Sequence, residues 1–198
     1  MTARLVVLAS GNGSNLQAII DACADGRLDA EVVLVVTNIA EAAALARADH
    51  AGIPATVLAR DGRSRDGYDV ALADLVGAVS PDLVVLAGWM RLLTMSFLGR
   101  FPGRVINLHP ALPGELPGLH AIERAYDEAR TGLRTRSGVM VHLVPDEGVD
   151  DGPVLATAEV PIAAGESFES FAGRLHATEH ALLVATIHRL ISEEVPSA

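Results

Sequence analysis

Short apolar runs alternate with longer helical patterns along the first half of the chain. The apolar runs show almost no polar alternation, which is typical of strands that are buried on both faces of a parallel sheet. They predict strands over residues 4–9, 31–37, 54–58, 82–87 and 105–108, and the patterns between them predict helices over 14–24, 40–51 and 68–79. This alternation of strand and helix predicts a doubly wound α/β fold.

The pattern changes after Pro110, where a loop rich in Pro and Gly runs to residue 118. It predicts a helix over 119–130, two strands over 138–144 and 154–160, and a long helix over 167–192. No repeat or linker interrupts the chain, so we expect a single Rossmann-like domain over residues 1–198. Its twisted sheet should be mostly parallel, with helices on both faces and a C-terminal antiparallel strand pair before the long helix.

The composition narrows the function classes. Hydrophobic residues make up 50% of the 198 residues and the formal net charge is -10, which indicates a globular chain and argues against nucleic acid or a membrane surface as a partner. The single cysteine, Cys23, excludes an intramolecular disulfide and a zinc site built from cysteines. No apolar run reaches the ~18 residues of a membrane span. The first residues lead directly into a strand, so we expect no signal peptide and a soluble cytoplasmic protein.

A glycine-containing loop lies between the first strand and the first helix, at residues 10–15. Glycines let backbone N–H groups approach a ligand, and a helix N-terminus adds partial positive charge, so the loop suits a phosphate. It lacks the Lys of the nucleotide-triphosphate loop and the third glycine of the dinucleotide fingerprint. A tight turn with a Ser or Asn helix cap is the alternative interpretation.

Two polar side chains, Asn107 and His109, stand at the end of the fifth predicted strand. Residues two apart on a strand point to the same face, and the carboxyl edge of an open α/β sheet is where ligands bind. An amide can donate to a developing oxyanion, and an imidazole can give or take a proton. The alternative is that both side chains only hydrogen-bond to nearby loops.

An acidic loop at residues 146–153 joins the last two strands and places four carboxylates within six residues. Most of them should face water, but one beside a histidine would raise the pKa of that histidine. The spacing does not say which one, and because it fits no EF-hand loop we predict no metal site. For His120 and His142 a structural role is the favoured interpretation.

Taken together, several motifs resemble the glycinamide ribonucleotide formyltransferase family, folate-dependent enzymes of purine synthesis, over almost the whole chain. The motifs are SGNGSN (10–15), LAGWMR (86–91), NLHP (107–110), PGLH (117–120), VH (141–142), DEGVD (146–150), GP (152–153) and EH (179–180). They occur in the family order at near-family spacing.

The resemblance implies a role for each part of the site. The phosphate-bearing substrate would be bound by Gly13, Ser14, Asn15, His176, Ala177, Thr178 and Glu179, with Glu179 on the ribose hydroxyls. The co-substrate 10-formyltetrahydrofolate would be bound by Arg65, Met90, Arg91, Leu92, Leu93, Asn107, Pro145, Asp146, Glu147, Gly148, Val149 and Asp150. The catalytic set would be Asn107, His109 and Asp150, with Asp150 preferred over Asp151 because the family pattern reads Asp-x-Gly-Pro. The phosphate-binding half would cover about residues 1–105 and the folate and catalytic half about 82–198.

The chain departs from the family pattern at four places. Residues 112–116 read LPGEL where the family usually has Leu-Leu-Pro and then an aromatic, so we expect a local change in the path of that loop. Met140 replaces a Thr or Ser, His176 replaces a Lys or Gln, and Trp89 replaces a common Phe. Residues 112–116 and Met140 lie close to the site and bear on catalytic efficiency and substrate fit.

The implied reaction is transfer of a formyl group from folate to the amine of glycinamide ribonucleotide. Asn107 and protonated His109 would stabilise the oxyanion, His109 would carry the proton, and Asp150 would favour the charged imidazole. No metal is expected, and the protein would be a monomer or a homodimer. Three alternatives stay open: a methionyl-tRNA formyltransferase, a formyltetrahydrofolate deformylase and a non-catalytic nucleotide- or folate-binding module. We expect neither the tRNA-binding domain of the first nor the regulatory domain of the second.

Overall fold

The computed structural model describes residues 2–192 and contains one seven-stranded sheet in the order β3-β2-β1-β4-β5-β6-β7. The strands are β1 (Ala3–Leu8), β2 (Ala30–Thr37), β3 (Ala55–Val57), β4 (Leu83–Leu86), β5 (Val105–His109), β6 (Arg136–Leu143) and β7 (Val154–Pro161). The helices are α1 (Ser14–Ala24), α2 (Ala43–His50), α3 (Arg65–Gly77), α4 (Met95–Leu98), α5 (Ala121–Arg130) and α6 (Phe168–Ser192).

Strands β1 to β5 pair in parallel, and β6 and β7 are antiparallel to their neighbours. Successive side chains of β1 enter opposite layers, because Leu5 and Val7 pack in one core and Val6 and Leu8 in the other. The first core includes buried residues of α1, α2, α5 and α6, and the second includes those of α3 and α4. The predicted fold class is therefore confirmed, including the antiparallel strand pair and the long last helix.

Several predicted boundaries need correction. Helix α2 begins at Ala43 instead of residue 40, because the N–H of Ala44 bonds to the carbonyl of Gly11 and fixes the start from outside the helix. Helix α3 begins three residues before the predicted start, since Ser64 caps it by accepting from the N–H of Gly67 at 3.0 Å. The apolar pattern did not predict α4, which is a single short turn, or the polar first residues of β6. Between residues 2 and 192, no helix has both the length and the apolar character to cross a bilayer.

Candidate active site

The main cavity opens at the edge of the sheet where the strand order reverses, between β1 and β4. Strands β1 and β4 are neighbours, and the connections that follow β1 and β4 form the two sides of a crevice, as expected at such a switch point. The cavity has a volume of about 590 Å³. Its walls come from the glycine loop after β1, the loop after β4, the end of β5, the start of α5, the acidic loop and one face of α6.

The glycine loop presents the start of α1 to the cavity. Gly13 has a φ of 75°, and a Cβ added there would lie 2.9 Å from both Cα and Cβ of Ala44, so the position excludes a side chain. Within residues 2–192, no side chain caps α1. The first N–H groups of the helix, beginning at Ser14, therefore face the crevice without an intrahelical partner, an arrangement that suits an anion.

Arg47 on α2 supports the glycine loop from behind. Its Nε donates to the carbonyl of Asn12 at 2.8 Å, and its Nη2 donates to Asn12 Oδ1 at 2.9 Å. This long-range contact holds the loop and places a positive charge behind it. Sequence reasoning missed Arg47, because it lies more than thirty residues from its partner in an ordinary helical pattern.

The end of β5 brings Asn107 and His109 to the floor of the cavity, and Asp150 meets both of them. Asn107 Nδ2 donates to Asp150 Oδ1 at 3.1 Å, and His109 Nδ1 lies 3.3 Å from Asp150 Oδ2. Leu108, between the two, points to the opposite face and packs in the core. The three residues named from the sequence thus form one connected cluster, with Asp150 anchored by the N–H of Gly118 at 2.8 Å.

Both ring nitrogens of His109 face oxygen atoms. Nδ1 faces Asp150, and Nε2 lies 3.1 Å from the carbonyl of Leu116. Only the protonated ring can donate to both oxygens at once. Burial nevertheless lowers the pKa of His109 below its ordinary value, and the Asp150 carboxylate and the Leu116 carbonyl oppose that change without reversing it. The expected effect of Asp150 on this pKa thus has the right direction, but the larger effect of burial was not predicted.

Asp150 is ionised in this cluster. Burial alone would raise the pKa of Asp150, but the His142 ring, the N–H of Gly118 and the charge of His109 together lower it below its ordinary value. Its backbone lies in the left-handed region, with a φ of 54°. A non-glycine residue held in that conformation beside a reacting centre is a typical sign of a functional constraint.

His142 belongs to the same cluster, although the sequence favoured a structural role for it. In the antiparallel register of β5 and β6 it lies opposite Asn107. Its Nδ1 lies 2.8 Å from the carbonyl of Leu143, and its Nε2 lies 3.1 Å from Asn107 Nδ2 and 3.7 Å from Asp150 Oδ1, so the ring joins both members of the cluster. The strand register was the signal that could have identified it. Met140 is fully buried opposite His109.

Helix α6 closes the cavity near the glycine loop with a hydrogen-bonded pair. His176 Nδ1 and Glu179 Oε2 are 2.6 Å apart, and Glu179 is buried whereas His176 is about half exposed. The hydrogen bond that His176 donates to Glu179 Oε2 raises the pKa of His176. Ala177 and Thr178 face away from the cavity, since Ala177 lines a separate cleft and the Thr178 hydroxyl donates to the carbonyl of Arg174.

The loop after β4 forms an apolar lip at the other end. Met90 and Leu92 are 61% and 49% exposed there, whereas Leu93 is buried. Ser10 connects this loop to the glycine loop, because its hydroxyl accepts from the N–H of Met90 at 2.9 Å and donates to Asn38 Oδ1 at 2.6 Å. Ser10, two residues after the end of β1, therefore holds the lip in place.

Some of the expected folate contacts lie elsewhere. Among the residues expected to contact the folate, three do not line the cavity: Arg65, Pro145 and Glu147. The other nine do line it: Met90, Arg91, Leu92, Leu93, Asn107, Asp146, Gly148, Val149 and Asp150. Arg65 instead pairs with Glu147 at 3.2 Å, and Glu147 also accepts from the N–H of Met95 at the start of α4. These two residues hold the acidic loop against α3 and α4 outside the cavity. In residues 2–192, no group of three His, Cys, Asp or Glu side chains is arranged to hold a metal.

The comparison with known families agrees with this geometry. A family model described as "Formyl transferase" matches residues 3–187. The chain belongs to the formyl transferase family. The family and the formyl-transferring activity expected from the sequence are thereby confirmed.

Relatives of known name match this formyl transferase over most of their length. The phosphoribosylglycinamide formyltransferase of Schizosaccharomyces pombe is 44% identical over 206 residues, covering 98% of this chain and 99% of that protein. The Escherichia coli protein of the same name is 43% identical and covers 90% of this chain and 82% of its own. Glycinamide ribonucleotide transformylase 1 of Symbiobacterium toebii superimposes with a TM-score of 0.90 at 38% identity, covering 96% of this chain and 88% of that one.

Proposed function

We propose that this formyl transferase moves the formyl group of 10-formyltetrahydrofolate to the amine of glycinamide ribonucleotide, giving formylglycinamide ribonucleotide and tetrahydrofolate in de novo purine synthesis. The observation that carries the proposal is the cluster of Asn107, His109 and Asp150 on the floor of a cavity that has the unpaired N–H groups of α1 at one end and an apolar lip at the other. The names of the relatives support it as well.

The phosphate end fits the nucleotide substrate. The N–H groups at the start of α1, from Gly13 to Asn15, would hold the phosphate, and a protonated His176 would add a charge-assisted donor beside them. Glu179 accepts from hydroxyl groups, so it would bind the ribose. The substrate amine would then reach the floor of the cavity between the two ends.

The lip end fits the folate. Met90, Leu92 and Val149 offer apolar surface for a flat ring. The backbone of the acidic loop, up to Asp150, offers polar groups for the edge of that ring. These contacts would place the formyl-bearing nitrogen next to Asn107. Holding both substrates in line would contribute much of the rate acceleration.

The chemistry requires charge stabilisation and one proton transfer. The amine forms a bond to the formyl carbon, the bond from that carbon to the folate nitrogen breaks, and a proton moves from the amine to that nitrogen. Asn107 donates to the developing oxyanion once the substrate draws its amide away from Asp150 and His142. His109 supplies positive charge and carries the proton from the amine towards the folate nitrogen, directly or through water.

The remaining expectations accompany this proposal. Residues 1–198 would form one formyltransferase domain, with a phosphate-binding half at about 1–105 and a folate and catalytic half at about 82–198. The enzyme would act in the cytoplasm as a monomer or homodimer, on small molecules alone and with no metal.

A formyl-transfer assay tests the proposal directly. The protein is mixed with 10-formyltetrahydrofolate and with glycinamide ribonucleotide, methionyl-tRNA or water alone, and tetrahydrofolate is measured. We expect turnover only with glycinamide ribonucleotide. Tetrahydrofolate released with water alone would indicate a deformylase, release only with the tRNA would indicate the sibling transferase, and binding without any release would indicate a binding module.

A further inference from the structure

One loop touches both ionisable residues of the reacting centre. We call residues 112–118 the clamp loop. The carbonyl of Leu116 lies 3.1 Å from His109 Nε2, and the N–H of Gly118 donates to Asp150 Oδ2 at 2.8 Å. The position of this loop therefore decides how His109 and Asp150 face each other.

The clamp loop holds an unfavourable backbone conformation at the contact. Leu116 has a φ of 45°, which is disfavoured for a residue with a side chain. Its side chain is buried in the core, and the N–H of Glu115 closes a turn onto the carbonyl of Leu112. A strained carbonyl of this kind keeps its place only when neighbouring contacts hold it.

An ion pair supplies such a contact on the outer side of the loop. Arg134, just before β6, binds Glu115 through Nη1 and Glu128 of α5 through Nε at 2.9 Å. The Arg134 side chain is only 15% exposed, compared with 47% for Arg136 in its pair with Glu159. An arginine that is mostly buried and bound to two carboxylates holds its geometry better than an arginine in a single surface ion pair does.

We propose that the Arg134–Glu115 ion pair is a positioning device for His109: it keeps the Leu116 carbonyl against His109 Nε2 and so fixes the orientation and protonation of the ring. The proposal rests on the proposed function, in which His109 acts in its protonated form. Arg134 and Glu115 are positioning residues, because neither of them lines the cavity. Glu115 also lies in the segment where the sequence departs from the family pattern, so this chain supports the loop in its own way.

The charged and polar groups around His109 define the expected change. Asp150 faces it from the acidic loop, His142 from β6, and the backbone of Glu115 and Leu116 from the clamp loop. Asp150 faces Nδ1, so the Leu116 carbonyl can accept from Nε2–H while Asp150 accepts from Nδ1–H only when the ring is protonated, and a looser clamp loop should lower the pKa of His109. Activity that depends on the protonated ring would then be lost at a lower pH.

The test compares Glu115→Gln with the control Glu159→Gln, which removes the exposed Arg136 pair on the neighbouring strands. We expect Glu115→Gln to lower kcat about two- to tenfold, the value of one hydrogen bond, with KM for both substrates nearly unchanged. The pH above which kcat falls should also move to a lower value. Glu159→Gln should match the unmodified protein. Arg134→Met should act in the same direction as Glu115→Gln, and Arg134→Lys should restore part of the loss.

The histidine NMR signals of the free protein provide a readout that needs no turnover. In protein labelled with ¹⁵N at histidine, Glu115→Gln should shift the His109 Nε2 resonance and lower its titration midpoint, with an unchanged melting temperature as the check on folding. Signals and kcat equal to those of Glu159→Gln would overturn the proposal, and so would a rise in kcat, which would mean that the carbonyl competes with substrate. An inactive unmodified protein with a shifted His109 signal would instead count against the proposed function alone.

Discussion

Replacing Asp150 with Asn tests the electrostatic role of the cluster most directly. The change removes a negative charge 3.3 Å from His109 Nδ1, and the Asn carbonyl can still accept from the N–H of Gly118. Two unit charges at that distance interact with about 1 kcal/mol in water and about 5 kcal/mol at an effective dielectric constant of 20. The pair is mostly buried, with side chains 4% and 13% exposed, so the loss should fall between these limits.

These limits correspond to a fall of about one to four units in the pKa of His109. Burial has already lowered this pKa, so the protonated fraction at neutral pH should drop at least about tenfold, and turnover with it. In the proposed mechanism the protonated ring is the active form. The deficit should therefore be largest above the pKa of the unmodified enzyme and should shrink as the pH falls below the pKa of the variant.

The assay is kcat for tetrahydrofolate formation from about pH 5 to 9. The matched control is Asp151→Asn, which removes the neighbouring exposed carboxylate and should change little. If Asp151→Asn is the more damaging change, the assignment of the carboxylate is off by one residue. If Asp150→Asn lowers kcat equally at every pH, the charge of Asp150 does not act through His109.

Three further changes test the other parts of the site. Gly13→Val should weaken binding of glycinamide ribonucleotide far more than binding of folate, because the backbone there has no room for a side chain, and equal losses of both ligands in calorimetry would contradict that. Asn107→Ala should lower turnover by about 10²–10³ and His109→Ala at least as much, with the double variant far less than multiplicatively worse; near-native turnover of His109→Ala would refute the mechanism. In the unmodified enzyme, KM for glycinamide ribonucleotide should rise as the pH passes upward through the pKa of His176, which the hydrogen bond to Glu179 raises. His176→Gln should remove this rise. An identical dependence of KM on pH in both proteins would show that His176 does not bind the phosphate.

The sequence predicted the parts of the structure that depend on local patterns. Buried strands such as β1 and β4 read as unbroken apolar runs, and alternation along β5 placed Asn107 and His109 on one face. Asp150 came from the family resemblance, because nothing in its local spacing distinguishes it from Asp151.

The remaining features depend on contacts between distant segments. The place of His142 follows from the register of two antiparallel strands, and Arg47 acts through a loop 35 residues away. Arg65 matched a folate contact in the family pattern, but its partner in the structure is Glu147. Such pairings depend on the three-dimensional path of the loops, and hydrophobic periodicity carries no information about them.

The hydroxyl of Ser10 has a consequence for how the two ligands influence each other. It accepts from the N–H of Met90 in the apolar lip, where we propose that the folate binds, while its own backbone begins the glycine loop, where we propose that the phosphate binds. A ligand that shifts either loop therefore changes the free energy of the other. Thermodynamic linkage then requires a reciprocal effect: whatever factor one substrate applies to the dissociation constant of the second, the second applies to the first. The order in which the two substrates enter can change rates, but it cannot change that factor.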